Sequence, residues 1–211
     1  MKKKPSIIKI CGITNLDDAR LSLETGADWL GFNFYPPSPR YVEPEKAAQI
    51  IKALPPETVS VGVFVNAGSK NISATLAVCP LAIAQLHGDE TNQDCLDVAD
   101  LNVRVIKAFR IKKPQDIRRI ADYDVETVLL DAFRPDLYGG TGDTFNWDWI
   151  RQIHSKKIIL AGGITPDNIR RALQVGTYGI DLCSGVEKSP GLKDVQKMKK
   201  LFKITAKSVR K

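Results

Sequence analysis

A chain of 211 residues that is 43% hydrophobic and 26% charged, with 15 Gly and 12 Pro, can bury a substantial core; disordered and low-complexity classes are excluded. No apolar run reaches the roughly 18 residues of a membrane span, and Lys9 breaks the apolar stretch that follows the basic start Met1-Lys2-Lys3-Lys4, so neither a secretory signal nor a membrane partner is expected and the expected location is cytoplasmic. The net charge of +7 suggests nucleic acid until it is localised: residues 188–211 carry nine Lys or Arg against Asp194 alone, a balance of +8, which leaves the rest of the chain at −1.

In chain order, short apolar runs rich in β-branched residues alternate with helical patterns. The runs cover 7–11, 29–34, 59–65, 81–86, 103–109, 127–131, 158–161 and 179–183. The helical patterns cover about 16–26, 44–54, 69–78, 91–100, 114–121, 146–155, 166–175 and 191–208. Asn15 is placed to cap the first helix, Pro44 and Pro166 stand at first helical positions, and Gly26 and Gly176 suit helix C-termini. In the last helix Val195, Met198, Leu201, Phe202 and Ile204 share one face, so the basic tail reads as an amphipathic helix with a solvated lysine face, and no nucleic-acid partner is expected. Eight strand–helix units imply parallel pairing and a (β/α)8 TIM barrel forming one domain over 1–211, with a doubly wound open sheet as the competitor.

Chemistry-bearing residues follow several of the predicted strands. Cys11 ends the first strand, where neighbouring positive charge would make its thiol a base; Cys79, Cys95 and Cys183 read as structural. The cysteines are too far apart in sequence for a zinc ribbon or a redox pair, and with only His87 and His154 no histidine-rich metal site is expected, which leaves carboxylate-only sites open. Arg40 stands in the proline-stiffened loop after the second strand and suits a carboxylate. His87 and its polar neighbours end the fourth strand. Asp131 ends the sixth, where desolvation favours a general acid, and the glycine-rich segment 139–142 that follows has the flexibility of a lid. Two turns after the last two strands, carrying Gly162 and Gly163 and then Ser184 and Gly185, offer backbone N–H groups to a phosphate.

The segments KICGIT (9–14), GFNFYPPSPRYV (31–42), VGVFVN (61–66), QLHGDE (85–90), LLDA (129–132), GGTG (139–142), LAGGITPDN (160–168) and SGVEKSPGLKD (184–194) together resemble the phosphoribosylanthranilate isomerase family of tryptophan biosynthesis. Two positions depart from its pattern: Asp143 stands where a lysine is common, and Cys183 where a small residue such as Ser is usual. The resemblance implies an Amadori rearrangement of a phosphoribosyl anthranilate without metal or organic cofactor, in a monomer or homodimer. Cys11 would then be the general base and Asp131 the general acid. Arg40, His87, Gly162, Gly163, Asp181, Ser184 and Gly185 would contact substrate, Asp181 through its amine. The rivals are the histidine-pathway isomerase, which needs a second phosphate turn after strands three and four, and a noncatalytic phosphosugar- or nucleic-acid-binding protein.

Overall fold

The computed structural model describes residues 7–132, 145–153 and 155–209; the segment 139–142, Asp143 and His154 lie outside the described residues. Eight strands form a closed barrel in sequence order: β1 (Ile7–Cys11), β2 (Trp29–Asn33), β3 (Val59–Phe64), β4 (Ile83–Leu86), β5 (Arg104–Ile111), β6 (Thr127–Ala132), β7 (Lys157–Leu160) and β8 (Gly179–Leu182). All neighbours are parallel, and β8 pairs with β1 through Ile8↔Ile180, Lys9↔Asp181 and Ile10↔Leu182. That last pairing excludes the open doubly wound sheet, which has free edges.

The strand period of two sorts side chains between two cores. One set points to the barrel axis and packs Trp29, Val61, Ile83, Ile106, Leu129 and Ile159 together. The alternate set, including Ile8, Ile10, Leu30, Phe32, Val128 and Leu160, faces the surrounding helices. Helices α1 (Leu16–Thr25), α2 (Pro44–Lys52), α3 (Gly68–Val78) and α4 (Asn92–Ala99) follow the first four strands. Asn15 caps α1 by accepting the Asp18 N–H at 2.8 Å, Gly26 ends it at φ 118°, and Pro44 opens α2. A reciprocal pair of bonds between Thr91 and Asp94 starts α4.

The segments Pro114–Asp122 and Trp147–Gln152 are 3-10 helices, where α-helices were expected. Their apolar residues explain this: Ile117, Ile120 and Tyr123, and likewise Trp147, Ile150 and Ile153, recur every three positions, which a three-residue turn keeps on one face. Helix α5 (Ile169–Val175) begins three residues later than expected, and Pro166 lies in the turn before it. There the Asn168 side chain accepts the Thr165 N–H at 2.9 Å and donates to the Gly163 carbonyl at 2.8 Å, holding a turn that competes with helix.

The expected terminal helix from 191 is corrected in the same way. A hairpin of β9 (Glu187–Ser189) and β10 (Leu192–Lys193) comes first, and α6 (Val195–Val209) starts only after the Asp194 carboxylate accepts the N–H groups of Gln196 and Lys197. Met198, Leu201 and Phe202 bury one face of α6, which packs on α1 and α5, while Lys199 and Lys203 stay in water. Among the described residues no helix is long and apolar enough to cross a membrane. Leu201 is fully buried, so Leu201→Ala should lower the unfolding free energy by about 2–5 kcal/mol in urea titration. A loss below about 1 kcal/mol would mean that α6 is not an integral part of the packed shell.

Candidate active site

Barrel closure brings the C-terminal ends of all eight strands to one rim. Going round it, β6 carries Asp131, the turn after β7 carries Gly162 and Gly163, and β8 carries Asp181 with Cys183, Ser184 and Gly185 after it; β1 carries Cys11, and the loop after β2 carries Arg40. Asp131, Gly162, Gly163, Asp181, Cys183, Ser184 and Gly185 line one cleft. His87 reaches the same space from β4: its Nε2 stands 3.3 Å from Asp131 Oδ2.

Behind Cys11 lies a polar cluster on the barrel axis. Lys9, two residues earlier on the same inward face, is wholly buried and donates from Nζ to Asp181 Oδ1 at 2.9 Å. A Cβ added at Gly31 would sit 2.7 Å from Cys11 Sγ and 3.1 Å from Lys9 Nζ, so only the glycine's missing side chain leaves room for both. Lys193, equally buried, donates to the Cys11 carbonyl at 2.5 Å and to Glu187 Oε1 at 2.9 Å. Lys193, read with the solvated lysine face of the tail, therefore points inward instead.

These neighbours set the protonation states. The Cys11 thiol is held well below the ordinary thiol range, first by a hydrogen bond with Cys183; burial opposes this, and the ammonium groups of Lys9 and Lys193 reinforce it. Cys183, whose Sγ also lies 3.8 Å from Glu187 Oε1, is raised by the same bond and by burial. Cys183 therefore belongs to the site, contrary to its reading as a plain structural residue. Burial pushes Asp181 up to about 6 against the pull of Lys9, with the charges of Cys11 and Asp131 adding to the rise. For Lys9, burial acts downward but Asp181 and Cys11 overcome it, so the ammonium persists.

The Asp131 carboxylate accepts the Ala132 N–H at 2.8 Å through Oδ1, leaving Oδ2 towards His87. The Gln85 amide lies 2.8 Å from His87 Nδ1; where it donates, the ring proton sits on Nε2, facing Asp131. Gln85 Oε1 is buried without a hydrogen-bond partner, and His87 Nε2 is buried with Asp131 Oδ2 at 3.3 Å.

The turns after β7 and β8 meet each other closely. Gly162 and Gly163 have φ of 83° and 61°. A Cβ on Gly185 would lie 1.9 Å from the Ile164 carbonyl oxygen, so the two turns touch backbone to backbone. Among the described residues, no acceptor takes up the N–H of Gly163, Ser184 or Gly185. Arg40 does not stand free. Its Nε and Nη2 are bound by the buried carboxylate of Glu187, at 3.0 and 2.7 Å.

Sequence reasoning missed Lys9, Gln85, Glu187, Lys193 and the role of Cys183. Three of these had a usable signal. Lys9 and Gln85 precede Cys11 and His87 by two positions and so share their face, and Cys183 follows Asp181 by two.

The N-(5'phosphoribosyl)anthranilate (PRA) isomerase family model matches residues 8–204. The chain belongs to that family. An N-(5'-phosphoribosyl)anthranilate isomerase of Geotalea uraniireducens is 50% identical over 200 residues, covering 93% of this chain and 96% of the relative. The phosphoribosyl anthranilate isomerase of Thermotoga maritima superposes with a TM-score of 0.89 at 39% identity, covering 96% of this chain and 99% of that one; that enzyme is dimeric. A phosphoribosyl anthranilate isomerase in complex with reduced 1-(o-carboxyphenylamino)-1-deoxyribulose 5-phosphate superposes at 0.86 with 38% identity, over 96% of this chain and 99% of that one.

One prediction concerns the thiols. Burial pushes Cys79 and Cys95 up to about 11, and Cys183 is raised, so Cys11 alone should react with iodoacetamide near neutral pH. Alkylation should rise with pH through a midpoint below the usual value of about 8.5, and Cys183→Ala, which removes the donated hydrogen bond, should move that midpoint upward. Mass spectrometry of the alkylated peptides checks both; a midpoint at or above the ordinary value would remove the thiolate from the site.

Proposed function

We infer that the chain carries out its family's reaction in tryptophan biosynthesis, the Amadori rearrangement of N-(5-phosphoribosyl)anthranilate to 1-(2-carboxyphenylamino)-1-deoxyribulose 5-phosphate, with Cys11 as general base and Asp131 as general acid. The observation that carries this reading is the setting of Cys11, a buried thiol at a barrel rim whose Sγ shares with Lys9 Nζ the space left by Gly31 and which is held below the ordinary thiol range. Such a thiolate is available as a base at neutral pH.

The steps follow the order of the rim. The 5-phosphate takes the unclaimed N–H groups of Gly163, Ser184 and Gly185 after β7 and β8. The ribose then projects between Asp131 on one side and Cys11 on the other. Asp131 gives a proton to the ring oxygen while the aryl nitrogen's lone pair expels it, opening the furanose to a protonated Schiff base at C1. Cys11 takes the proton from C2, and its electron pair moves into the C1–C2 bond to give an enolamine. Loss of the 2-hydroxyl proton and protonation at C1 yield the ketone. Asp181, held by Lys9, would face the substrate nitrogen, and His87, whose Nε2 stands 3.3 Å from Asp131 Oδ2, would reach a ribose oxygen from the same side. The anthranilate end extends towards the loop after β2 and Arg40. The reduced product analogue bound by a family member has the same three handles, a phosphate, a sugar chain and a carboxylate. The dimeric Thermotoga enzyme makes a homodimer the assembly to test by light scattering.

Histidine-pathway chemistry would need a second phosphate turn after β3 and β4. There the Asn66 N–H is taken by Glu90 at 2.8 Å and the Gly88 N–H by the same carboxylate, so those donors are occupied.

Cys11→Ser and Asp131→Asn should each lower kcat by about two orders of magnitude or more while KM changes little, because each removes a proton transfer and preserves volume. Loss of anthranilate fluorescence measures turnover; near-wild-type kcat in either variant removes that residue from the mechanism. Gly185→Ala forces a methyl group against the Ile164 carbonyl and separates the two turns. It should raise KM for substrate and the inhibition constant of inorganic phosphate by about tenfold or more, about 1.4 kcal/mol. An unchanged phosphate inhibition constant in a variant with native circular dichroism would place the phosphate elsewhere.

A further inference from the structure

Glu187 holds more of the rim together than any other side chain in the site. It opens β9, directly after the turn Ser184–Val186, and its carboxylate is buried. Oε1 accepts from Arg40 Nε at 3.0 Å, from Lys193 Nζ at 2.9 Å and from the Gly191 N–H at 3.3 Å; Oε2 accepts from Arg40 Nη2 at 2.7 Å. Burial works against its charge, but Arg40 and Lys193 hold it ionised below the usual carboxylate range. Through these bonds one carboxylate ties the loop after β2 to the hairpin after β8 and, through Lys193, to the Cys11 carbonyl.

The manner in which Arg40 is held matters. A guanidinium has two edges suited to a carboxylate, one made by Nε with one terminal nitrogen and one made by the two terminal nitrogens. Glu187 occupies the Nε–Nη2 edge, and among the described residues no bond falls on Nη1. The end-on edge of Nη1 and Nη2 is thus open to a second carboxylate. The stem is also fixed: an added Cβ at Gly12 would lie 2.8 Å from Arg40 Cδ and 3.3 Å from Glu187 Oε1, so the pair lies directly against the chain after Cys11.

We infer that Glu187, with Lys193 as its second cation, is a positioning residue that sets the guanidinium of Arg40 in the orientation needed to select a substrate bearing an aromatic carboxylate. This deepens the proposed function and rests on its reading of Arg40. Arg40 touches the carboxylate; Glu187 acts only through Arg40. The expected signature is therefore a loss of discrimination between carboxylated and uncarboxylated ligands, which a general loosening of the rim would not produce.

The experiment compares two competitive inhibitors, the reduced product carrying the ring carboxylate and its analogue with a plain phenyl ring, against wild type, Arg40→Ala, Glu187→Gln and the double variant. Wild type should prefer the carboxylated compound. Arg40→Ala should erase that preference, by about tenfold or more, and leave the phenyl analogue nearly unaffected. Glu187→Gln should erase most of the same preference, and in the Arg40→Ala background it should change the preference no further, since the two act in series. Glu187→Asp keeps the charge but shortens the reach, so it should fall between wild type and Glu187→Gln; it supplies the readout if the Gln variant does not fold. If Arg40→Ala weakens both inhibitors equally, the carboxylate reading of Arg40 fails. If Arg40→Ala discriminates but the Glu187 variants weaken both inhibitors equally, that reading stands and the role of Glu187 as a positioning residue is overturned.

Discussion

Everything at the rim depends on the seam where the barrel closes, β8 against β1, and on the ion pair that spans it. Lys9 and Asp181 are register partners there, and both are buried. Two such charges are costly to desolvate singly, and together they stabilise the seam only because Lys9 Nζ meets Asp181 Oδ1 at hydrogen-bond distance. One residue further along each strand past Ile10↔Leu182 come Cys11 and Cys183, which explains how two thiols meet across the same seam. The chemistry at the top of the barrel and the closure of the barrel are one local arrangement.

The charges around that seam balance as a group. Lys9, Lys193 and Arg40 supply three positive charges within a few residues of Cys11; Asp181 and Glu187 supply two negative ones. A thiolate at Cys11 makes the set neutral, whereas a protonated thiol would leave a buried excess positive charge. The lowering of Cys11 is in this sense shared across the cluster, with Cys183, Lys9 and Lys193 each contributing to it. Such coupling means that Cys11 cannot be understood from its own strand alone.

The fold was legible in the sequence because barrels repeat one local pattern, and each repeat has its own strand period and its own caps. Boundaries were missed where side chains overrode that pattern: Asn168 folding back on Gly163 delays α5, and the Pro190-Gly191 turn converts the start of an expected helix into a hairpin. Residues standing alone at strand ends, such as Cys11, Asp131 and Arg40, could be picked out by position. Their supports could not. Glu187 and Lys193 reach Arg40 and Cys11 across a sequence separation that no local spacing reports. Lys193 was further disguised by its setting among surface lysines, although it follows β8 closely enough to fold back over β1.

The same accounting bears on the turns after β7 and β8. The cleft around Gly163, Ser184 and Gly185 is lined by Asp131 and Asp181, with no Lys or Arg among the described lining residues. A lysine there would pair with one of these carboxylates and lock it, either Asp131 or the partner of Lys9. Peptide N–H groups avoid that conflict: they are fixed dipoles that meet a phosphate at close range and cannot swing over to an aspartate. Their approach is what the backbone contact between Gly185 and Ile164 provides. Lys9 and Lys193 are turned inward onto the protein's own carboxylates and the Cys11 carbonyl, and Arg40 keeps one terminal nitrogen without a bond among the described residues.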